Sequence, residues 1–130
     1  MSNPKVFLSV AALANLAVVL WHLYLAVEMR AGLSGSTAVR VAILTGALTL
    51  AGIALLCTRY HKTGSLVLIA VLALGFVMGC LEHFFVAGPY NVFDVAGGQW
   101  VLPFDISVAL LVLFQIAGLS AAARTFTPRP

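Results

Sequence analysis

Residues 64–86 read GSLVLIAVLALGFVMGCLEHFFV, an apolar run interrupted by one carboxylate and one histidine near its end. A helix of this length can cross a bilayer, whose ~30 Å hydrocarbon core requires ~20 consecutive apolar residues. Runs of similar length and character occupy about residues 5–29, 38–58 and 103–123. The sequence therefore predicts an integral membrane protein with four spanning helices.

The composition supports the same prediction. Hydrophobic residues make up 62% of the chain and charged residues 8%, whereas soluble domains average about 25% charged residues. Within lipid only helices and closed barrels satisfy their own backbone, and the ~10-residue alternation of barrel strands is absent. We predict an all-α, four-helix membrane bundle that forms a single domain over residues 1–130.

The positions of lysine and arginine predict the orientation of the bundle. Cytoplasmic connections carry an excess of these residues, and five of the seven lie at the two chain ends and in the second connection: Lys5, Arg59, Lys62, Arg124 and Arg129. Only Arg30 and Arg40 lie on the other side. We expect both termini in the cytoplasm, in a bacterial inner membrane. Because the helix ends account for the net charge of +3, we expect no nucleic-acid partner.

Local chemistry predicts the helix boundaries. Asn3 followed by Pro4 is typical of a helix start, and Pro103 is expected at the first position of the fourth helix. Gly32 and Gly88 are expected to end the first and third helices through a left-handed conformation. The expected caps of the second and third helices are Ser36 or Thr37, and Thr63 or Ser65.

Small residues predict the packing faces, because close backbone approach drives helix association in lipid. The expected faces are Ala38, Ala42, Thr45, Thr49 and Gly52 on the second helix, Gly75, Gly79 and Glu82 on the third, and Ser107, Leu111, Gln115, Gly118 and Ala122 on the fourth. Since Glu82 continues the glycine face, we expect it to point into the protein. Asn15 and Gln115 are expected to form hydrogen bonds between helices.

Ionisable residues inside the apolar runs are the functional candidates, because a charge at the bilayer centre costs about 2.5–3.5 kcal/mol on insertion scales. At 1.5 Å per residue, His22 lies roughly 10 Å inside the outer end of the first helix, and Glu82 and His83 roughly 5 Å inside that of the third. We expect these three to meet in the outer half of the membrane, where Glu28 and Asp105 can join them.

Three uses of this cluster remain open. His22 and His83 could ligate haem b, or could hold a transition metal together with Glu82 and Asp105. Glu82 and His83 could instead act catalytically by carrying protons. In the structural alternative, each group finds one hydrogen-bond partner and fixes the helix register, while Asp105 complements the dipole of the fourth helix.

Three features near the cluster each have two possible roles. The connection over residues 87–102 is rich in aromatic residues and is interpreted as an interfacial belt or as a lid over the cluster. Trp21 and Tyr24 flank His22 and either line a pocket or pack the bundle. Cys80, three residues before His83, either suits a soft metal or is an inert buried thiol.

One family resemblance rests on Gly46, Gly52, Arg59, Gly64 and His83. This glycine-rich hairpin with a basic turn and a late histidine resembles the middle of DoxX-type four-helix membrane proteins, over about a third of the chain. The resemblance implies a small membrane subunit associated with oxidoreductases, often quinone-linked, and a role for His83.

These observations lead to one main functional hypothesis and two alternatives. The main hypothesis is a small membrane subunit or binding module of a larger, redox-linked complex, with the bilayer and other membrane subunits or further copies of itself as partners. The first alternative is a stand-alone haem- or metal-binding oxidoreductase or isomerase that uses His22, Glu82 and His83. The second is a small proton-coupled transporter in which Glu82 titrates. Whether the protein is an enzyme stays open.

Overall fold

A computed structural model of the chain describes residues 3–29, 33–89, 91–93 and 98–126. All regular secondary structure in these ranges is helical: α1 (Pro4–Glu28), α2 (Gly35–Leu56), α3 (His61–Cys80), a π-helical turn (Leu81–Phe85) that continues α3 directly, and α4 (Val101–Phe126). Four helical segments of these described ranges, with the π turn counted as part of α3, are long and apolar enough to cross a membrane. The predicted all-α membrane fold is confirmed.

The start of α1 follows the predicted chemistry. The Asn3 side chain accepts a hydrogen bond from the Lys5 N–H at 3.1 Å, and Pro4 is the first helical residue. The expected caps of α2 are wrong, because Ser34 caps this helix by accepting from the Thr37 N–H at 3.2 Å. The helix therefore begins earlier than the apolar pattern suggested.

The starts of α3 and α4 also differ from expectation. Helix α3 begins at His61, so the expected caps Thr63 and Ser65 lie inside the helix. The N-cap residue is Tyr60, whose side chain forms no capping hydrogen bond with the described residues. Helix α4 begins at Val101, so that Pro103 is its third residue. Proline is tolerated there because the first N–H groups of a helix have no partner within the helix.

Gly32, which was expected to end α1, lies outside the described residues. The end of the third helical segment, where Gly88 was expected, is described. After the π turn, Val86 is extended, with φ −90° and ψ 119°. Gly88 follows with a φ of +153°, a conformation that glycine adopts more readily than other residues. The helical segment thus ends before Gly88, which shapes the connection that follows.

The helices pack in a ring, α1 on α4, α4 on α3, α3 on α2 and α2 on α1, with the most extensive contact between α1 and α4. Consecutive helices are antiparallel neighbours, as short connections require. The C-terminal ends of α1 and α3 therefore lie at the same end of the bundle as the beginning of α4.

Two apolar clusters fill the interior. The first core contains Leu8, Ala12, Leu56, Leu68, Leu72, Ala121 and Ala122. The second core contains Leu25, Ala26, Phe104 and Val108, with Val92 and Trp100 of the third connection packed against it. The first core lies at the end of the bundle where α1 begins and α4 ends, and the second lies at the opposite end.

Glycine allows α2 and α3 to touch through their backbones. A Cβ atom added to Gly64 would lie 2.6 Å from both the Gly52 carbonyl oxygen and the Leu56 nitrogen. Such distances leave no space for a side chain at Gly64. The two helices of the predicted glycine-rich hairpin therefore pack more closely than they could with any other residue at this position. This contact is the tightest backbone approach among the described glycines.

The predicted packing face of α4 is confirmed. All five of its expected members are buried: Ser107, Leu111, Gln115, Gly118 and Ala122. Helix α3 meets this face at Gly75, where an added Cβ would lie 2.9 Å from the Gln115 Nε2 atom. A polar side chain of α4 thus fills the space that a glycine of α3 leaves open.

Candidate functional site: a buried histidine pair

The most distinctive feature of the interior is a contact between two histidines. The imidazole centroids of His22 on α1 and His83 on the π turn are 4.8 Å apart, and the ring planes meet at 82°. Only 8% of His22 and 4% of His83 is exposed. The predicted meeting of these two side chains from the first and third helices is confirmed.

His22 faces inward because it belongs to the buried face of α1. Asn15, Val18, His22, Leu25 and Ala26 are all buried, and their spacing of three or four residues marks one side of a helix. The same periodicity turns Trp21 and Tyr24 outward, where 37% and 54% of these side chains are exposed. They therefore do not enclose a pocket around His22.

The π turn brings His83 inward. The Val86 N–H donates to the Leu81 carbonyl at 2.8 Å, a bond that spans five residues instead of four. A turn with one extra residue advances each side chain by less than the 100° of an α-helix, and such turns are frequent at functional sites. His83 consequently lies on the side of Gly79, with its Cδ2 atom 3.9 Å from where a Gly79 Cβ would be.

The same turn corrects the expectation for Glu82. In a regular α-helix Glu82 would continue the face of Gly75 and Gly79, and it was expected to point into the protein. In the structure His83 occupies that face, and the Glu82 side chain is exposed. The carboxylate predicted to be the central group is therefore on the outside of the bundle.

Ser107 on α4 binds His22 and defines its hydrogen-bonding state. The Ser107 hydroxyl donates to the Phe104 carbonyl at 2.6 Å, and its oxygen lies 2.8 Å from His22 Nδ1. A hydroxyl has one proton, and here the Phe104 carbonyl receives it, so Nδ1–H of His22 is the donor to Ser107. In the neutral imidazole, Nε2 then carries the lone pair.

Phe104 closes the site from the side of α4. Its ring is fully buried, 4.9 Å from the His22 centroid and 5.7 Å from that of His83. Phe104 also belongs to the second core, so an apolar cluster adjoins the imidazoles. Electrostatic interactions at the pair are therefore stronger than they would be in water.

The other predicted ligands do not join the pair. Glu28 is exposed, and Asp105 is half-buried, with an Oδ1 atom that has no hydrogen-bond partner among the described residues. Over residues 3–29, 33–89, 91–93 and 98–126, no three His, Cys, Asp or Glu side chains lie close enough to hold a metal ion together. The expected set of His22, Glu82, His83 and Asp105 is thus reduced to its two histidines.

The connection after the π turn folds back over the site. The Val92 N–H donates to the His83 carbonyl at 2.9 Å, and the Asn91 side chain donates to the Val86 carbonyl at 3.0 Å. Val92 and Trp100 pack on the second core, whereas 78% of Phe93 is exposed. Tyr90 and Asp94 lie outside the described residues. Part of the connection therefore covers the histidine end, as a lid would.

Sequence reasoning did not identify Ser107 and Phe104 as part of the site. Ser107 was read as a small packing residue and Phe104 as an interfacial aromatic. One signal was available: a hydroxyl on the inner face of α4, nearly two turns into the helix, lies at the depth of His22 on the antiparallel neighbour.

The chain matches no protein-family model, no curated protein and no solved structure in the comparisons made.

Proposed function

We propose that the protein is a small membrane-embedded binding module, working as a subunit of a larger redox-linked membrane complex, and that His22 and His83 bind its haem or metal ion. The observation that carries the proposal is the buried contact between the two imidazoles, 4.8 Å apart. Polar groups within a bilayer-spanning bundle are costly and tend to mark functional sites.

The chemistry of the pair supports a ligand-binding role. Imidazole nitrogens are the commonest protein ligands for zinc, copper, iron and nickel. Metal-bound histidines usually donate their second ring nitrogen to a protein oxygen, which orients the ring. The His22 Nδ1 atom already has such a partner in Ser107, at 2.8 Å.

The arrangement suits a small ion better than haem b. In a bis-histidine haem, iron lies ~2 Å from a nitrogen on each side, so the imidazole centroids are about 6 Å apart with the macrocycle between them. Here the rings are in edge contact at 4.8 Å. Haem ligation would require the two helical segments to move apart by more than a single ion would, because two imidazoles at a tetrahedral angle on one ion have centroids about 5 Å apart.

The role as a subunit rests on the outer surface and on the family resemblance. Helix α2 buries only Ala38, Thr49, Gly52 and Leu56 of its 22 residues, which leaves an apolar surface for lipid and neighbouring membrane chains. The resemblance of its hairpin to DoxX-type proteins supports an association with oxidoreductases. On the positive-inside argument, both termini are cytoplasmic and the histidine pair lies toward the outer face of a bacterial inner membrane.

Purification in a mild detergent tests both parts of the proposal. We expect partner chains to accompany the protein, and a metal analysis with a visible spectrum of the same sample to detect one bound metal or haem per chain. Substitution of either His22 or His83 by alanine should remove this group. The matched control is His61→Ala, since His61 is the third histidine of the sequence and begins α3 at the opposite end of the bundle.

A preparation without partner chains would contradict the role as a subunit. A group retained in both His22→Ala and His83→Ala would contradict the assignment of the binding site. Glu82 is exposed, so the geometry offers no specific support for a proton-coupled transporter or for a catalytic pair of Glu82 and His83.

A further inference from the structure

We infer that a groove between α1 and α4, at the end of the bundle opposite the histidine pair, binds one anionic phospholipid. The groove has a volume of about 220 Å³ and is partly open to the outer surface of the bundle. Six residues line it: Pro4, Phe7, Ala117, Ser120, Ala121 and Arg124. None of them belongs to the histidine pair, so the lipid site is distinct from the proposed haem or metal site.

The groove forms where α4 presents small side chains to the start of α1. Ala117, Ser120, Ala121 and Arg124 are each three or four residues from another member of the set, so they lie on one side of the helix. Ala121 is buried in the first core, whereas Ser120 is exposed. Across the groove, 49% of Phe7 is exposed. The walls are therefore largely apolar, and the α4 wall ends in a basic residue.

The depth of the groove in a membrane matches the boundary between headgroups and acyl chains. Helices α1 and α4 have 25 and 26 residues, or ~37–39 Å, and so exceed the ~30 Å hydrocarbon core by about 4 Å at each end. Counted from the end of α4 at Phe126, Arg124 is about 3 Å along the helix and Ala117 about 13 Å. The groove thus has a cation at headgroup depth and apolar side chains at acyl-chain depth, which suits an amphipathic ligand.

The distribution of charge favours an anionic headgroup. The carboxylates of Glu28, Glu82 and Asp105 lie at the histidine end, on the last residue of α1, the π turn and the start of α4. The other end is basic, with four described residues at the helix ends and in the α2–α3 connection: Lys5, Arg59, Lys62 and Arg124. Basic pockets between membrane helices bind anionic lipid headgroups.

Arg124 can contact a phosphate and keep its interaction within the protein. It takes part in an interaction of the folded chain, but a guanidinium has five N–H donors and a permanent positive charge. Its planar fork matches the geometry of phosphate oxygens. The Ser120 hydroxyl, four residues earlier on the same side of α4, is exposed and can donate to the same group. The site depends on the charge of Arg124, whichever protein group it also contacts.

The volume of the groove suits one part of a phospholipid. A water molecule occupies about 30 Å³ of the liquid, so the groove of about 220 Å³ holds about seven groups of that size. This is room for a phosphate ester and the carbon atoms next to it, while the acyl chains continue into the bilayer past Phe7. A small soluble anion would leave the apolar walls uncovered.

The test measures lipid binding to the full chain in a mild detergent by native mass spectrometry. The micelles contain either phosphatidylglycerol, which is anionic, or phosphatidylcholine, which is zwitterionic, with identical acyl chains. We expect one phosphatidylglycerol molecule per chain, bound at least fivefold more tightly than phosphatidylcholine. Glycerol phosphate, which carries the anion without acyl chains, should not displace it. Equal affinities for the two lipids, or displacement by glycerol phosphate, would overturn the inference.

Arg124→Gln tests the headgroup contact. It should weaken phosphatidylglycerol binding about fivefold, equivalent to the ~1 kcal/mol that one basic residue contributes near anionic lipid, and leave phosphatidylcholine binding unchanged. Arg124→Lys, which keeps the charge, should retain most of the preference. Arg59→Gln is the matched control, because Arg59 is exposed at the same end but does not line the groove. Equal losses in Arg124→Gln and Arg59→Gln would reflect net charge alone and would overturn the site.

Ser120→Leu tests the groove itself. The larger side chain occupies the space, so binding of both lipids should weaken. Ala123→Leu is the control, because Ala123 is exposed on the same helix outside the groove. If Ser120→Leu is not helical by circular dichroism, Ser120→Val replaces it. Unchanged phosphatidylglycerol binding in the groove variant would overturn the assignment. A wild-type dimer that this variant converts to a monomer, in light scattering, would assign the groove to a second copy of the chain instead and would also overturn it.

Discussion

The two ends of the bundle are built on different principles. At the end where α1 begins and α4 ends, Gly64 and Gly52 bring the backbones of α3 and α2 into contact beside the apolar first core. At the other end, α3 continues in a π turn and two imidazoles meet a serine and a phenylalanine. The comparison indicates that close packing holds the fold at one end, while the irregular turn and the polar groups at the other end form the proposed binding site at the histidine pair.

This separation has a physical basis. Backbone contact gives dispersion energy without side-chain entropy loss, which suits a structural element in lipid. A buried polar pair contributes little net stability and is sensitive to its surroundings. We therefore expect substitutions at the two ends to affect different measurements: unfolding at the first end, and the bound ligand at the second.

The largest effect on stability is expected from Gly64→Ala. An added Cβ would lie 2.6 Å from two backbone atoms of α2, so the helices must separate, at about 1–3 kcal/mol. Thermal unfolding in detergent measures this loss. Gly46→Ala is the control, because its Cβ would have only Leu16 Cδ1 at 4.0 Å. Equal unfolding temperatures for the two variants would contradict the backbone contact.

Asn15→Val is expected to stabilise the protein by about 1 kcal/mol. Asn15 is 2% exposed, and its Oδ1 atom has no hydrogen-bond partner among the described residues, so an apolar replacement removes an unsatisfied acceptor. The interhelical hydrogen bond expected from the sequence is not seen for this atom. Ser65→Ala should have the opposite effect, because Ser65 accepts from the Thr125 hydroxyl at 3.0 Å. A loss of stability in Asn15→Val would reveal a partner for its side chain.

Ser107→Ala is expected to reduce the free energy of unfolding by only about 0.6 kcal/mol, the average for an interhelical hydrogen bond in a membrane. Its clearer effect should appear in the nitrogen NMR spectrum of His22. With Ser107 present, Nδ1 should be protonated; without it, the proton should distribute over both nitrogens. An unchanged tautomer in the variant would show that another contact orients the ring.

The smallest effect is expected from Glu82→Gln. Because Glu82 is exposed, the free energy of unfolding should change by less than about 0.5 kcal/mol, and ligand binding should not change. Glu28→Gln, also at an exposed position, provides the comparison. A strong loss of ligand binding or of ion flux in Glu82→Gln alone would restore Glu82 as the central group of the site.

The membrane fold and the helix faces could be predicted because they depend on local patterns. Apolar runs of more than 20 residues define the spans, and small residues at helical spacing define the buried face of α4. The antiparallel directions of the helices were enough to bring His22 and His83 to the same depth. These properties require no knowledge of how the helices contact each other in detail.

The sequence alone determined that the chain forms a membrane bundle and that two histidines share one end of it. Only the tertiary structure decided between Glu82 and His83, since one additional residue in the π turn changes which of them faces α1 and α4. The π turn is accompanied by the hydrogen bond from the Val92 N–H to the His83 carbonyl and by packing against α1 and α4, contacts that hydropathy does not encode. The hydrogen bonds from His22 to Ser107 and from Ser107 to the Phe104 carbonyl likewise depend on how α1 packs against α4, which hydropathy does not encode.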